Sequence, residues 1–221
     1  GALRRQVILS GAHLAAECPG LVGVTAGEES DEVRWLRAGE RAVGVAGPWR
    51  QVAPAPGTEV WETLLSQQEP GKDDTGQPAV TVRPLGAGRI VAIHGPIFRA
   101  YFKGHYPALR RFLGDLVARL EIPWKVEADA PARLELILRR KAERLVVNLL
   151  NRGAGETLSP QRVIVEELPP VENVTLRIRC EERPRAVTAV PYDTPLEWQY
   201  ADGVATVRVP RVAIHTVVVV E

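Results

Sequence analysis

Residues 133–151 read RLELILRRKAERLVVNLLN, and how this stretch folds decides the second half of the chain. Leu134, Leu136 and Leu138 alternate with less apolar neighbours, Arg139 to Arg144 form a charged tip, and Leu145, Val147 and Leu149 repeat the alternation on the way back. A period of two in both arms around a polar tip predicts an antiparallel hairpin with one buried face. A continuous helix is the rival reading, since Arg, Lys, Ala, Glu and Leu are all good helix formers. Pro131 at the start of the run and the β-branched residues of its second arm favour the hairpin.

Downstream of this hairpin everything reads as strand and turn. Strands are expected at Arg162 to Leu168, Val174 to Cys180, Ala186 to Val190, Leu196 to Tyr200, Val204 to Val209 and Ala213 to Val220. Pro169-Pro170, Pro191 to Pro195 and Asp202-Gly203 punctuate them, Asp-Gly being a strong hairpin dipeptide. Short strands at this spacing predict an all-β antiparallel sandwich over residues 125–221.

Upstream, short strands mix with helical pattern. Gln6 to Ser10 reads as a buried strand, residues 12 to 30 as a loop-rich connector, and Val33 to Arg37 with Arg41 to Ala46 as a hairpin around Ala38, Gly39 and Glu40. Pro48 and Trp49 open another extended piece, Glu59 to Ser66 is open between strand and helix, and Gln67 to Pro78 reads as a polar surface loop. Ala79 to Arg83 and Arg89 to His94 are apolar strands joined by Pro84 to Gly88. Leu109, Phe112, Leu113, Leu116, Val117 and Leu120 then recur at steps of three and four, which predicts a helix from Pro107 to Leu120 with one apolar face. Residues 1–122 are accordingly expected to form an α/β layer, linked without any flexible tract by Ile122, Pro123 and Trp124.

The chain has 221 residues, 28 basic against 27 acidic, and a net charge of +1. No global field draws it to nucleic acid or an anionic membrane, and no apolar run spans a bilayer. Cys18 and Cys180 lie in different halves and predict free thiols rather than a disulfide framework. The absence of methionine and the Gly-Ala start suggest a piece excised from a longer protein.

The run GAGRIVAIHGPIFRAYF (86–102), followed by a helix, resembles the end of the amidotransferase-like trimerisation domain of β-galactosidase-like glycoside hydrolases of the family 42 type. RLVVNLLN (144–151), EELPPVENVTLRI (166–178), RPRAVTAVP (183–191), the Trp198 strand, DGVATVRVP (202–210) and IHTVVVVE (214–221) are similar to the small C-terminal β-sandwich of such hydrolases. The resemblance implies a partial flavodoxin- or amidotransferase-like α/β layer, truncated at its start, followed by the sandwich. It also implies an upstream catalytic barrel as partner and a homo-oligomer. The expected location is cytoplasmic.

Catalytic residues are not evident. Glycoside hydrolysis needs two carboxylates flanking one bond. Glu166 and Glu167 are neighbours on an expected strand and point to opposite faces, while Asp73 and Asp74 sit in a polar loop. An amidotransferase triad could draw on Cys18 and His94, but Cys18 lies in Glu-Cys-Pro rather than at a Gly-flanked elbow, and Ile97 stands where the acid is expected after His94. His13, His94, His105 and His215 show no paired metal spacing, so neither a metal nor a cofactor is expected. Gly86 and Gly88 join two strands and read as a hairpin turn, not a phosphate cradle.

The candidate ligand or interface residues are His94, Phe98, Tyr101 and Phe102, on a loop leaving a strand end, where α/β layers tend to bind ligands. The expected role is non-catalytic assembly and support. The alternatives are a carbohydrate-binding module, with Trp35, Trp49, Trp61, Trp124 or Trp198 stacking on sugar, and a degenerate glutamine amidotransferase-like domain.

Overall fold

The computed structural model describes residues 6–69, 74–153 and 167–221. The chain divides into two compact units between Ile122 and Pro123.

The first unit is built on a six-stranded sheet in the order β1-β6-β5-β4-β2-β3. The strands are β1 (Gln6–Ser10), β2 (Val24–Ala38), β3 (Arg41–Pro54), β4 (Glu59–Leu65), β5 (Asp74–Leu85) and β6 (Gly88–Ile93). Only β1 and β6 run parallel, Ile8 lying beside Val91. The other pairs are antiparallel. This overturns the expected α/β layer. Ala79 to Arg83 and Arg89 to His94 do have the unbroken apolar character of parallel strands, but Leu85 pairs with Gly88 across a two-residue turn. A connection that short can only reverse the chain, because a parallel neighbour needs a crossover of a dozen residues or more.

Four helices accompany this sheet: α1 (Leu14–Glu17), α2 (Pro19–Val22), α3 (Ile97–Gly104) and α4 (Pro107–Ala118). The periodic apolar run becomes α4 as expected, with Pro107 in its first turn and Leu109, Phe112 and Leu116 buried. These side chains share one core with Leu36, Val45, Trp49, Leu64, Val80, Val91, Ile93 and Ile97. Each large aliphatic member stabilises the fold by about 1.5–3 kcal/mol through burial. Three segments depart from expectation. Residues 12–30 hold α1, α2 and the first half of β2, the loop expected after His94 contains α3, and the polar run before Pro78 already belongs to β5 from Asp74 onward. An exposed edge of acidic residues and a bulge between Ala26 and Glu29 hide the strand period in β2.

The sheet curls. The N–H of Arg50, in β3 at one margin, donates to the carbonyl of His94 at 3.0 Å, and the N–H of Gly11 donates to Ile93 O at 3.1 Å. The end of β6 is thus the place where both margins of the sheet are tied down.

The second unit stacks two antiparallel sheets. One has the order β13-β14-β10-β7 and the other β12-β11-β15-β9-β8. Their strands are β7 (Val126–Asp129), β8 (Leu134–Lys141), β9 (Arg144–Asn151), β10 (Val171–Arg179), β11 (Val187–Val190), β12 (Thr194–Pro195), β13 (Glu197–Ala201), β14 (Val204–Val212) and β15 (His215–Val220). The hairpin of residues 133–151 forms as β8 and β9, with Leu136 opposite Leu149 and Leu138 opposite Val147. Its ladder runs out to Lys141 and Arg144, so the charged tip narrows to Ala142 and Glu143, with Ala142 at φ 52°. Leu134, Val147, Leu149, Val218 and Val220 of one sheet pack on Val174, Leu176, Ile178, Val207 and Val209 of the other. Most of the strand expected at Arg162 to Leu168 lies outside the described residues. No helix among the described residues is long and apolar enough to cross a membrane.

Candidate functional site

The four candidate residues lie on one continuous segment, but the fold treats them differently. His94 directly follows β6 and is fully buried. Its N–H donates to Ala79 O, its carbonyl accepts from Arg50, and its Nε2 lies 2.9 Å from the Thr81 hydroxyl. The Nδ1 atom is buried without a hydrogen-bond partner. Burial therefore disfavours the imidazolium and lowers the pKa from 6.5 to about 4. His94 is a neutral core group at ordinary pH, enclosed by protein.

Next to it, Gly95 lets the chain pass directly under the indole of Trp49, where a Cβ would enter the ring. Trp49 is itself buried, and its Nε1 donates to Val45 O at 3.0 Å. Ser10, at the end of β1, donates from Oγ to Gly95 O at 2.6 Å and accepts the N–H of Phe98 at 3.5 Å. Arg50 reaches across this end of the sheet, donating from Nε to Ala12 O at 2.8 Å and pairing with Glu29. Backbone and side chains thus fix the start of α3 closely.

The α3 helix then divides the aromatics between two faces. Ile97, Ala100 and Tyr101 turn to the core, and the Tyr101 ring lies 5.3 Å from that of His105. Phe98 and Phe102, one turn apart, face outward at 40% and 72% exposure. Tyr106, at the head of α4, is 62% exposed, with its ring against Gly104. Tyr106 was not singled out from sequence, although its place four residues beyond Phe102 was a usable signal.

Beside this aromatic face, Asp31, Gly47, Pro48, Pro96, Arg99 and Lys103 line a depression of about 280 Å³. Among the described residues neither cation of α3 has a carboxylate partner, and Asp31 has no cation partner.

Catalytic constellations are not assembled around these residues. Cys18 sits half-buried at the junction of α1 and α2, and no hydrogen bond links its thiol to His94, whose Nε2 belongs to Thr81. Asp74 accepts from the Thr63 hydroxyl at 2.7 Å and from the Gly76 N–H at 2.8 Å, which lowers its pKa. Glu62 has a raised pKa, chiefly from burial, and pairs with Arg119 at 2.8 Å. The Arg119 guanidinium also covers the Trp61 ring, 4.3 Å from its centroid. These carboxylates are engaged by their own neighbours. Among the described residues no group of three or more His, Cys, Asp or Glu side chains could hold a metal ion. Trp49 is sealed in the core and Trp61 is capped, while Trp124 is the most open of the candidate sugar-stacking tryptophans.

The chain matches no protein-family model, and it has no significant match among curated proteins. Solved structures do share its fold. It is similar to α-L-fucosidase isoenzyme 2 from Paenibacillus thiaminolyticus, with 19% identity and a TM-score of 0.74, over 98% of this chain and 36% of that one. It is also similar to Gan42B, a GH42 β-galactosidase of G. stearothermophilus, with 14% identity and a TM-score of 0.52, over 90% of this chain and 23% of that one. Thus the chain spans about a third or less of the length of these glycoside hydrolases. At such identities the likeness is one of fold.

Proposed function

We propose that the chain is the non-catalytic assembly and support region of a glycoside-hydrolase-type protein whose bond-breaking residues lie in a separate catalytic domain. One observation carries this reading: the fold likeness extends over 98% of this chain and only 36% of the fucosidase chain. The geometry agrees with it in two ways. The buried carboxylate and imidazole are engaged or enclosed, and the outward features are rings and charges suited to contact. The GH42 type named by the sequence resemblance draws further support from the fold shared with Gan42B.

The test has two arms. The isolated chain is assayed against aryl galactosides, fucosides and glucosides, with no turnover expected. A glycoside hydrolase that carries this region is then compared with the same enzyme lacking it, and loss of thermal stability or of subunit association is expected. Hydrolysis by the isolated chain that disappears on changing one of its own carboxylates would refute the reading. So would a truncated enzyme with unchanged melting temperature, subunit number and kcat/KM.

A further inference from the structure

Buried Leu109, Phe112 and Leu116 fix which side of α4 faces the core. Pro107, Arg110, Arg111 and Gly114, at steps of three and four, share the opposite side. Together with Ala38, Glu40 and Arg41 of the β2–β3 turn they line a depression of about 630 Å³, within the range of small-ligand sites. The turn is tight, Ala38 pairing with Arg41. The Arg111 side chain crosses to it, with Nη1 3.6 Å from where a Cβ on Gly39 would stand.

The walls are charged. Arg41, Arg110 and Arg111 all border the depression, as do Glu40 and Asp115. Among the described residues none of these five side chains forms an ion pair. Guanidinium groups present planar forks that match a carboxylate or a phosphate with two parallel hydrogen bonds.

The floor is small. Gly114 stands in the interior of α4, where glycine weakens a helix relative to alanine. A Cβ at this position would meet nothing within 4 Å, so packing does not call for glycine here. What the missing side chain leaves open is the floor, which Ala38 and Ala108 complete. A ring can therefore lie close against the backbone.

This combination selects among occupants. Nucleic acid would set further phosphates against Glu40 and Asp115 as like charges. A bare inorganic anion would satisfy the arginines and leave both carboxylates without donors. One anionic group on a hydroxyl-rich ring meets both needs. We propose that the depression binds an anionic sugar unit. Its carboxylate or phosphate is held by Arg41, Arg110 and Arg111, and its hydroxyls donate to Glu40 and Asp115. This goes beyond the support role, and its test needs no hydrolase activity.

The full 221-residue chain, labelled with nitrogen-15, is titrated at low ionic strength with trigalacturonate and with glucose 6-phosphate. At least one probe should shift the amides of Gly39 and Gly114 saturably, and which one does so separates a uronate from a phosphate source. Arg111→Gln should weaken binding at least tenfold, and so should Arg110→Gln. Gly114→Leu should abolish binding while the melting temperature holds or rises, because the new side chain fills the floor and favours the helix. Neutral galactose and inorganic phosphate should each bind at least tenfold more weakly than the better probe. No saturable shift with either probe up to about 10 mM overturns the proposal. Binding indifferent to Arg111→Gln or to Gly114→Leu does the same, as does inorganic phosphate or galactose binding as tightly as the better probe.

Discussion

The Thr81 hydroxyl lies 2.9 Å from Nε2 of His94, with both side chains fully enclosed in the first unit and no partner on the other imidazole nitrogen. A polar pair in this position forms part of the core, and its protonation state is coupled to folding.

Burial lowers the His94 pKa from 6.5 to about 4, so between those values the unfolded chain binds a proton that the folded chain does not. The stability contribution of neutral His94 is complete above about pH 6.5 and lost progressively as the pH falls toward 4. Its full loss is on the order of 3 kcal/mol. Urea unfolding followed by tryptophan emission at pH 7.5, 5.5 and 4.5 should show this decline. His94→Gln should flatten it by about one proton, and an unchanged pH slope would contradict the burial argument.

Thr81→Val removes the only side-chain hydrogen bond of His94 among the described residues while nearly keeping the volume of residue 81. The expected cost is about 1–3 kcal/mol, that of stranding a buried polar atom. Unfolding at pH 7.5 measures it, and a loss below a few tenths of a kcal/mol would argue for a water in that site.

Gly95→Ala places a methyl group inside the Trp49 ring. Trp49 is buried and anchored to Val45 O, so it has little room to yield. Overpacking of this kind costs about 1–3 kcal/mol or more. Near-UV circular dichroism of the tryptophans should change together with the midpoint of unfolding.

In the second unit Asn151 donates to Pro169 O at 2.9 Å and to Ala213 O at 2.8 Å, and its Oδ1 accepts from the Gly153 N–H at 3.0 Å. It ties the end of β9 to two other segments. Asn151→Ala should cost about 2–4 kcal/mol by leaving these groups unpaired. Asn151→Asp keeps the acceptor and loses both donors, so it should be comparably harmful at neutral pH.

Arg119 lies over Trp61 and pairs with Glu62. The nearby guanidinium lowers the Glu62 pKa against the larger raising effect of burial. Arg119→Ala should therefore raise that pKa further, an effect readable by carbon-13 titration of the carboxyl. The loss of stability should stay near 1 kcal/mol, since the pair is partly exposed. A downward shift would show that Arg119 is not the group acting on Glu62.

Several elements were legible because their cause is local. The alternation of Leu134, Leu136 and Leu138 with Val147 and Leu149 leads directly to the β8–β9 hairpin. The spacing of Leu109, Phe112 and Leu116 leads to α4, and Asp202-Gly203 leads to the β13–β14 turn. Other elements have no comparable cause. The α3 helix has only eight residues, too few for its period to stand out beside a loop, and β2 is acidic and bulged where it begins. Propensity alone does not separate such segments from loops.

The candidate site divides the same way. His94, Phe98, Tyr101 and Phe102 are recognisable as a group in the sequence, with His94 ending an apolar strand and the three aromatics on the loop expected after it. Packing sorted them, enclosing His94 against Thr81, turning Tyr101 inward and leaving Phe98 and Phe102 in solvent.

What the sequence determined by itself is the set of short-range periods: which residues alternate, which recur every third or fourth place, and where the chain must reverse. Those properties depend on neighbours a few positions apart and need no partner. The strand order of the first unit, the burial of His94 and the placing of Asp31 in one depression with Arg99 and Lys103 were decided only by the tertiary structure. Each depends on segments dozens of residues apart, brought together by the curl of one sheet, and no local pattern encodes that approach.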